Sequence, residues 1–246
     1  MALPKLEVPT YELELPLSKK TIKYRPFLVK EQKILLMAME SGDAKSIQQA
    51  VRDILITCTL SPGFNVDIVP IIDIEYYFLN LRAKSVGEVA ESKYRCNNKV
   101  TKEDGTEKEC GNIMDSKVNL TEIKPKIDET INPEIKITDK LTVKMKYPEF
   151  GVMKDSAESD NITDVTFRLI ASCVEYIYDG EQFYYANETP LDEMVEFIEG
   201  LSQQQFELME HFFNNMPKMS HIVKMKCSKC SFDHSFDVEG LESFFG

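Results

Sequence analysis

A chain of 246 residues, 43% hydrophobic and 10% aromatic, can bury a core as one large or two small domains. Ten glycines and eleven prolines exclude collagen-like and low-complexity classes, and no apolar run reaches the length of a bilayer span. A formal charge of −12 and a sequence pI near 4.9 count against a nucleic-acid surface, which needs clustered Lys and Arg, and favour proteins as partners.

The opening "MALPKLEVPTYELELPLSKK" lacks the charged-then-apolar order of an export signal, so an intracellular, reducing setting is expected. Residues 11–25 read as a β-hairpin: Tyr11, Leu13 and Leu15 alternate with Glu12 and Glu14, and Ser18-Lys19-Lys20 turns the chain into Ile22 and Tyr24. Two helices follow, the first over Glu31–Met39 and broken at Ser41-Gly42, the second carrying Ile47, Val51, Ile54, Leu55 and Cys58. Asp73 is placed to cap a third, with Ile74, Tyr77, Phe78 and Leu81 on its apolar face.

From Glu91 to Tyr147 the period changes to two. "SKYRC" and "SKVNL" read as strands around a long polar loop, and "EIKITDKLTVKMKY" puts Ile135, Ile137, Leu141, Val143, Met145 and Tyr147 on one side. The Pro-punctuated "TEIKPKIDETINPE" is the best internal linker. After the loop "DSAESDNITD", Val165, Leu169, Cys173, Val174 and Ile177 predict a helix. Thr189-Pro190-Leu191-Asp192 starts another, with Thr189 as cap and Gly200 as its close. Ser202 and Gln205 open a last helix bearing Phe206, Met209, Phe212 and Phe213, before strands at 220–227 and 232–238 and an "LESFF" tail. The order β, α, β, α, β predicts an α+β protein. Its expected parts are a hairpin-plus-helices segment over 1–90, a β-rich segment over 91–150, and a helical segment with the final hairpin over 151–246, the last two forming one unit.

Cys58 and Cys173 fall on helical apolar stripes and read as core residues. Cys96, Cys110, Cys227 and Cys230 remain, the number that a closed tetrahedral zinc site takes. "YRCNN" and "KECGN" set cysteines at strand ends beside Asn97, Asn98 and Gly111, which tolerate left-handed backbone and can aim amides at a thiolate. "KCSKC" supplies the second pair on a hairpin tip, so two separated hairpins build a zinc-ribbon-like element. Inert buried thiols are the alternative. A redox CxxC is another, although that motif ordinarily opens a helix in a βαβ unit. His221 and His234 are close enough in sequence to replace one cysteine, while both, like His211, also read as ordinary strand or helix residues. Four thiolates leave no open position, so the expected zinc is structural.

No G-x-G-x-x-G, Walker-type loop, G-x-S-x-G or H-E-x-x-H is present, and the three histidines sit in no supporting motif. The chain therefore reads as a non-enzyme with no small-molecule substrate.

"MALPKLEVPTYELELPLSKKTIKYRPFLVKEQKILLMAMES", "DIEYYFLNLRAKSVGE", "YRCNN…CGN" and "KCSKCSFDHSFDVEGLESFF" together resemble the baseplate hub and hub-assembly proteins of T-even-type myoviruses. "YRPFLVKEQKILLMA" is the most specific of these stretches. The resemblance implies a tail morphogenesis protein made in the host cytoplasm, acting on or retained in the tail baseplate. Its partners are then other baseplate hub proteins, with no nucleic acid and no membrane. The competing class is a phage zinc-ribbon adaptor that contacts nucleic acid or the host transcription machinery. Contact surfaces are expected at the 11–25 hairpin and around Phe244-Phe245, with internal packing of both segments as the alternative.

Overall fold

Alternation over 11–24 produces the expected hairpin. β1 (Tyr11–Glu14) pairs antiparallel with β2 (Thr21–Tyr24), with Glu12 opposite Lys23 and Leu13 opposite Ile22. This computed structural model describes residues 7–101, 105–128, 130–152 and 161–239. The "LESFF" tail with Phe244 and Phe245, and most of "DSAESDNITD", lie outside the described residues.

α1 (Val29–Ser41) ends at Gly42, whose φ of 66° is the left-handed turn that Ser41-Gly42 promised. Asp43 then caps α2 (Ala44–Cys58) by accepting from Ser46 N at 2.9 Å. Val51, Ile54, Leu55 and Cys58 pack with Leu15, Ile22 and Tyr24 of the hairpin into a first core.

Asp73 does not cap the third helix. Pro70 precedes its first turn, so α3 runs Ile71–Val86 and Asp73 lies inside that turn, fully buried. Its carboxylate instead accepts from the backbone N–H groups of Leu17 at 2.8 Å and Ser18 at 2.9 Å, fastening the hairpin turn to the helix. α3 is the central element. Ile74, Tyr77, Phe78 and Leu81 face the first core, while Ile72, Leu79 and Ala83 face another core with Val118, Leu120, Ile123 and Val223. Leu120, just before the linker-like stretch, and Ile123 within it are thus anchored in that core.

β3 (Val89–Arg95) pairs with β6 (Ile113–Asn119), as "SKYR" and "SKVN" required. The expected polar loop between them carries a further short hairpin, β4 (Lys99–Thr101) with β5 (Glu107–Glu109), closed by cross-strand bonds on either side of the cysteines. β11 (Ser220–Lys226) and β12 (Asp233–Glu239) form the last hairpin.

The remaining sheet has the order β10-β9-β8-β7, from β7 (Glu134–Lys136), β8 (Thr142–Met145), β9 (Val174–Tyr178) and β10 (Phe183–Tyr185). Here the helical reading of 165–177 fails. α4 (Ile162–Ser172) stops before Cys173, and Val174 and Ile177 are strand residues paired to β8. "VEYIY" is β-branched and aromatic, and cross-strand pairing decides its state. α5 (Leu191–Glu199) and α6 (Gln203–Asn214) cover the inner face with α4. Ser202 and Gln205 make the expected reciprocal cap of α6. Thr189 does not cap α5, because its hydroxyl donates to Tyr185 O at 3.0 Å. The mixture of helices and small antiparallel sheets is α+β.

Candidate metal centre

The two hairpins meet tip to tip. Cys96 leaves β3 and Cys110 precedes β6, and the pair is held across the hairpin by Cys110 N→Asn98 O at 2.8 Å and Gly111 N→Cys96 O at 2.9 Å. Gly111 has φ 65°, a geometry that glycine takes without a Cβ clash. Asn97 and Asn98, expected to share that geometry, keep negative φ. On the other side, Cys227 N→Phe232 O and Ser231 N→Cys227 O, each 2.9 Å, close the turn around Cys227–Cys230, and Ser231 takes φ 59°.

All four sulfur atoms lie within 4.8 Å of one another. Cys96 Sγ is 3.6 Å from Cys230 Sγ, and Cys110 Sγ is 3.8 Å from Cys227 Sγ. A disulfide would need about 2.0 Å. A tetrahedron with metal–sulfur bonds of about 2.3 Å has edges of about 3.8 Å. The set therefore fits one tetrahedral ion, and these four residues are the ones that can hold it.

The surroundings suit negative sulfur. Backbone N–H groups of Cys230 and Lys229 pull the Cys227 thiol down to about 6, and the N–H of Phe232 lowers Cys230. Burial pushes Cys96 up to about 12, with the neighbouring sulfurs adding to the rise. Four thiolates this close repel unless a cation lies between them. Asn98 Nδ2 donates to Cys230 Sγ at 3.6 Å and Asn112 Nδ2 to Cys227 Sγ at 3.5 Å. His234 is buried, with Nε2 3.1 Å from Cys96 Sγ.

The structure brings together the four cysteines singled out from the sequence, with Asn98 beside them; His234, read there as a possible substitute for one cysteine, lies against Cys96 in addition to all four, and Asn112 was not anticipated. Asn112 follows Gly111 in the same turn, and His234 is four residues past Cys230, directly opposite Met225 in the β11–β12 register. His221 is only partly buried in β11, and His211 is exposed on α6. Cys58 and Cys173 are fully buried, free and far from the cluster in sequence and in packing. Burial pushes each thiol up to about 11.

Fold and cluster together define a mixed α+β protein whose cysteine hairpins converge on one potential thiolate centre. The family model described as "T4 bacteriophage base plate protein" matches residues 8–246, and the chain belongs to that family. No curated protein and no solved structure matches it. Among the described residues, no helix is long and apolar enough to cross a membrane.

Proposed function

We propose that the chain is a structural or assembly factor of the central baseplate hub of a contractile-tailed phage. It acts through contacts with other hub proteins and without catalytic turnover. The observation that carries this reading is the match to the baseplate family over nearly the whole chain. A baseplate protein works among other phage structural proteins, so its place is the host cytoplasm during assembly and the tail of the particle. Within it, Cys96, Cys110, Cys227 and Cys230 bind one structural zinc ion, a reading supported by their mutual spacing and by the amides aimed at sulfur. The four thiolates fill the coordination shell, and the ion clamps the β3–β6 hairpin to the β11–β12 hairpin. The −12 charge weighs against a nucleic-acid adaptor.

An amber mutation in the gene tests the functional reading. The expected result is loss of complete hubs and a large fall in infectious yield, while normal hubs and normal yield would overturn it. Mass spectrometry of purified virions separates a retained subunit from a transient factor. Elemental analysis of the purified chain is expected to give one zinc per molecule, falling sharply in Cys227→Ser. Metal-free wild type would remove the zinc assignment and leave the baseplate reading untouched.

A further inference from the structure

The outer face of the β7–β10 sheet carries an aromatic surface. Register places Tyr176 opposite Tyr185 and Tyr178 opposite Phe183, so the four rings share one face. Tyr178 stacks on Phe183 at 4.6 Å, Tyr176 meets the same ring edge-on at 5.2 Å, and Phe183 lies parallel to Tyr185 at 5.9 Å. Phe183 is 50% exposed and Tyr185 43%. The opposite face, with Val143 and Ile177, is buried against the helices.

β10 is an edge strand. Asp179 N→Gln182 O and Ala186 N→Glu175 O mark two hydrogen-bonded pairs of the β9–β10 ladder, which makes Tyr184–Ile177 a third. The intervening residues, Phe183 and Tyr185, therefore point their backbone groups away from β9. Tyr185 O is taken by Glu188 N and Thr189 Oγ1, each at 3.0 Å. Among the described residues, Phe183 N–H, Phe183 C=O and Tyr185 N–H have no partner. Natural sheets guard such an edge by keeping it short or with lysine, proline or a bulge; β10 is only three residues long but carries no lysine, proline or bulge.

Charge selects the occupant. Between Arg168 and Lys218 the sequence has ten carboxylates and no lysine or arginine, and Glu175, Asp179, Glu181 and Glu188 lie on or next to the β9–β10 hairpin. Lys144 sits over Tyr176 at 5.5 Å and is matched by Glu175 at 3.4 Å, Lys136 lies on the far strand β7, and Lys140 of the β7–β8 turn packs beside Gly180, where Asp179 and Glu181 outnumber it. An anionic edge disfavours pairing with a second copy of itself and attracts a cationic strand.

We propose that the free edge of β10 accepts a short, extended, Lys/Arg-bearing segment of a partner protein as a fifth strand. The segment bonds to Phe183 and Tyr185 through its backbone and lays its cationic side chains on the four-ring surface. The inference stands on this edge alone and does not require the hub assignment.

The test uses the full chain and a ten-residue peptide alternating arginine with valine, beside a counterpart alternating glutamate with valine. Amide exchange followed by NMR reads each residue. The arginine peptide is expected to slow the Phe183 and Tyr185 amides at least tenfold and leave Tyr184, already bonded to β9, unchanged. The glutamate peptide has no such effect. Phe183→Pro, which deletes an outward N–H, and the double variant Phe183→Ala/Tyr185→Ala, which removes the exposed rings, each weaken binding at least tenfold. Two variants are included so that misfolding of either one leaves the other to decide. No protection, equal protection by both peptides, or protection that rises with protein concentration without peptide would overturn the proposal, the last by showing a second copy on the edge.

Discussion

His234 Nε2 lies 3.1 Å from Cys96 Sγ, although 138 residues separate them. β12 returns antiparallel to β11, and its ring is held between Phe232, edge-on at 4.8 Å, and Phe236, stacked at 5.4 Å. The imidazole is thus fixed by packing within hydrogen-bond reach of the Cys96 sulfur. His234→Phe keeps the ring stack and deletes that bond. Zinc affinity, measured by competition with a chromogenic chelator, is expected to fall about 10–100-fold with the fold intact. Unchanged affinity would assign His234 to packing alone.

The six free thiols divide into two classes. In the metal-loaded chain, a thiol reagent is expected to react slowly with all six. After chelation, Cys96, Cys110, Cys227 and Cys230 become reactive, while Cys58 and Cys173 stay protected until global unfolding because both are buried and their thiols are pushed up to about 11. Fast labelling of Cys58 or Cys173 in the native state would contradict their core placement. Chelation is also expected to lower the melting temperature markedly, since zinc bound by thiolates in model fingers supplies about 10–16 kcal/mol of apparent free energy.

Asp73→Ala removes the acceptor of two hairpin N–H groups, from Leu17 and Ser18. Hydrogen bonds to a charged partner are worth about 1.5–3 kcal/mol each, so a loss of roughly 3 kcal/mol in urea denaturation is expected. Lys23→Ala, on the exposed side of the hairpin opposite Glu12, should cost well under 1 kcal/mol. Equal losses for the two variants would mean that the hairpin is not fastened through Asp73.

Glu75 faces a cleft of about 360 Å³ lined also by Ile71, Ile72, Tyr147, Met216 and Lys218. Burial pushes its carboxyl from 4.5 up to about 7. The native state then holds the proton more tightly than the unfolded chain. That stabilisation is complete below 4.5 and is lost as pH rises through about 7. Glu75→Gln, neutral at every pH, should match wild type near pH 4.5 and exceed it at pH 8 by about 3 kcal/mol. A gap that does not change with pH would exclude a buried, proton-holding Glu75.

The legible parts of this chain were those in which local pattern and tertiary outcome agree. The 11–24 alternation, the break at Gly42, the Ser202–Gln205 cap and the four clustered cysteines all declare themselves through spacing and turn chemistry. Val174–Tyr178 misled because Val174 and Ile177 continue the apolar spacing of α4, while pairing with β8 fixes them as a strand. The signal was present in Asp179-Gly180 between two aromatic runs, a hairpin turn whose Gly180 takes φ 97°. Asp73 shows the opposite case. It was read as the cap of α3 and lies instead inside the first turn, because its partners are 55 and 56 residues away, where no local rule reaches. His234 was singled out only as a possible substitute for a cysteine, since it takes the register of β11 with β12 to bring it to Cys96 beside all four.

Cys110 and Cys227 are 117 positions apart along the chain. At about 5–20 residues per second, a ribosome needs on the order of ten seconds to pass from one to the other. During that interval the first pair of thiols waits without its complement, while β6, the four-stranded sheet and α4–α6 are being made. A nascent chain stopped before Cys230 has at most three of the four sulfurs and cannot seal the junction. Closure of the cluster thus reports that both distant hairpins have been synthesised and have found each other, and a truncated copy is marked by open thiols that proteases and oxidants can reach.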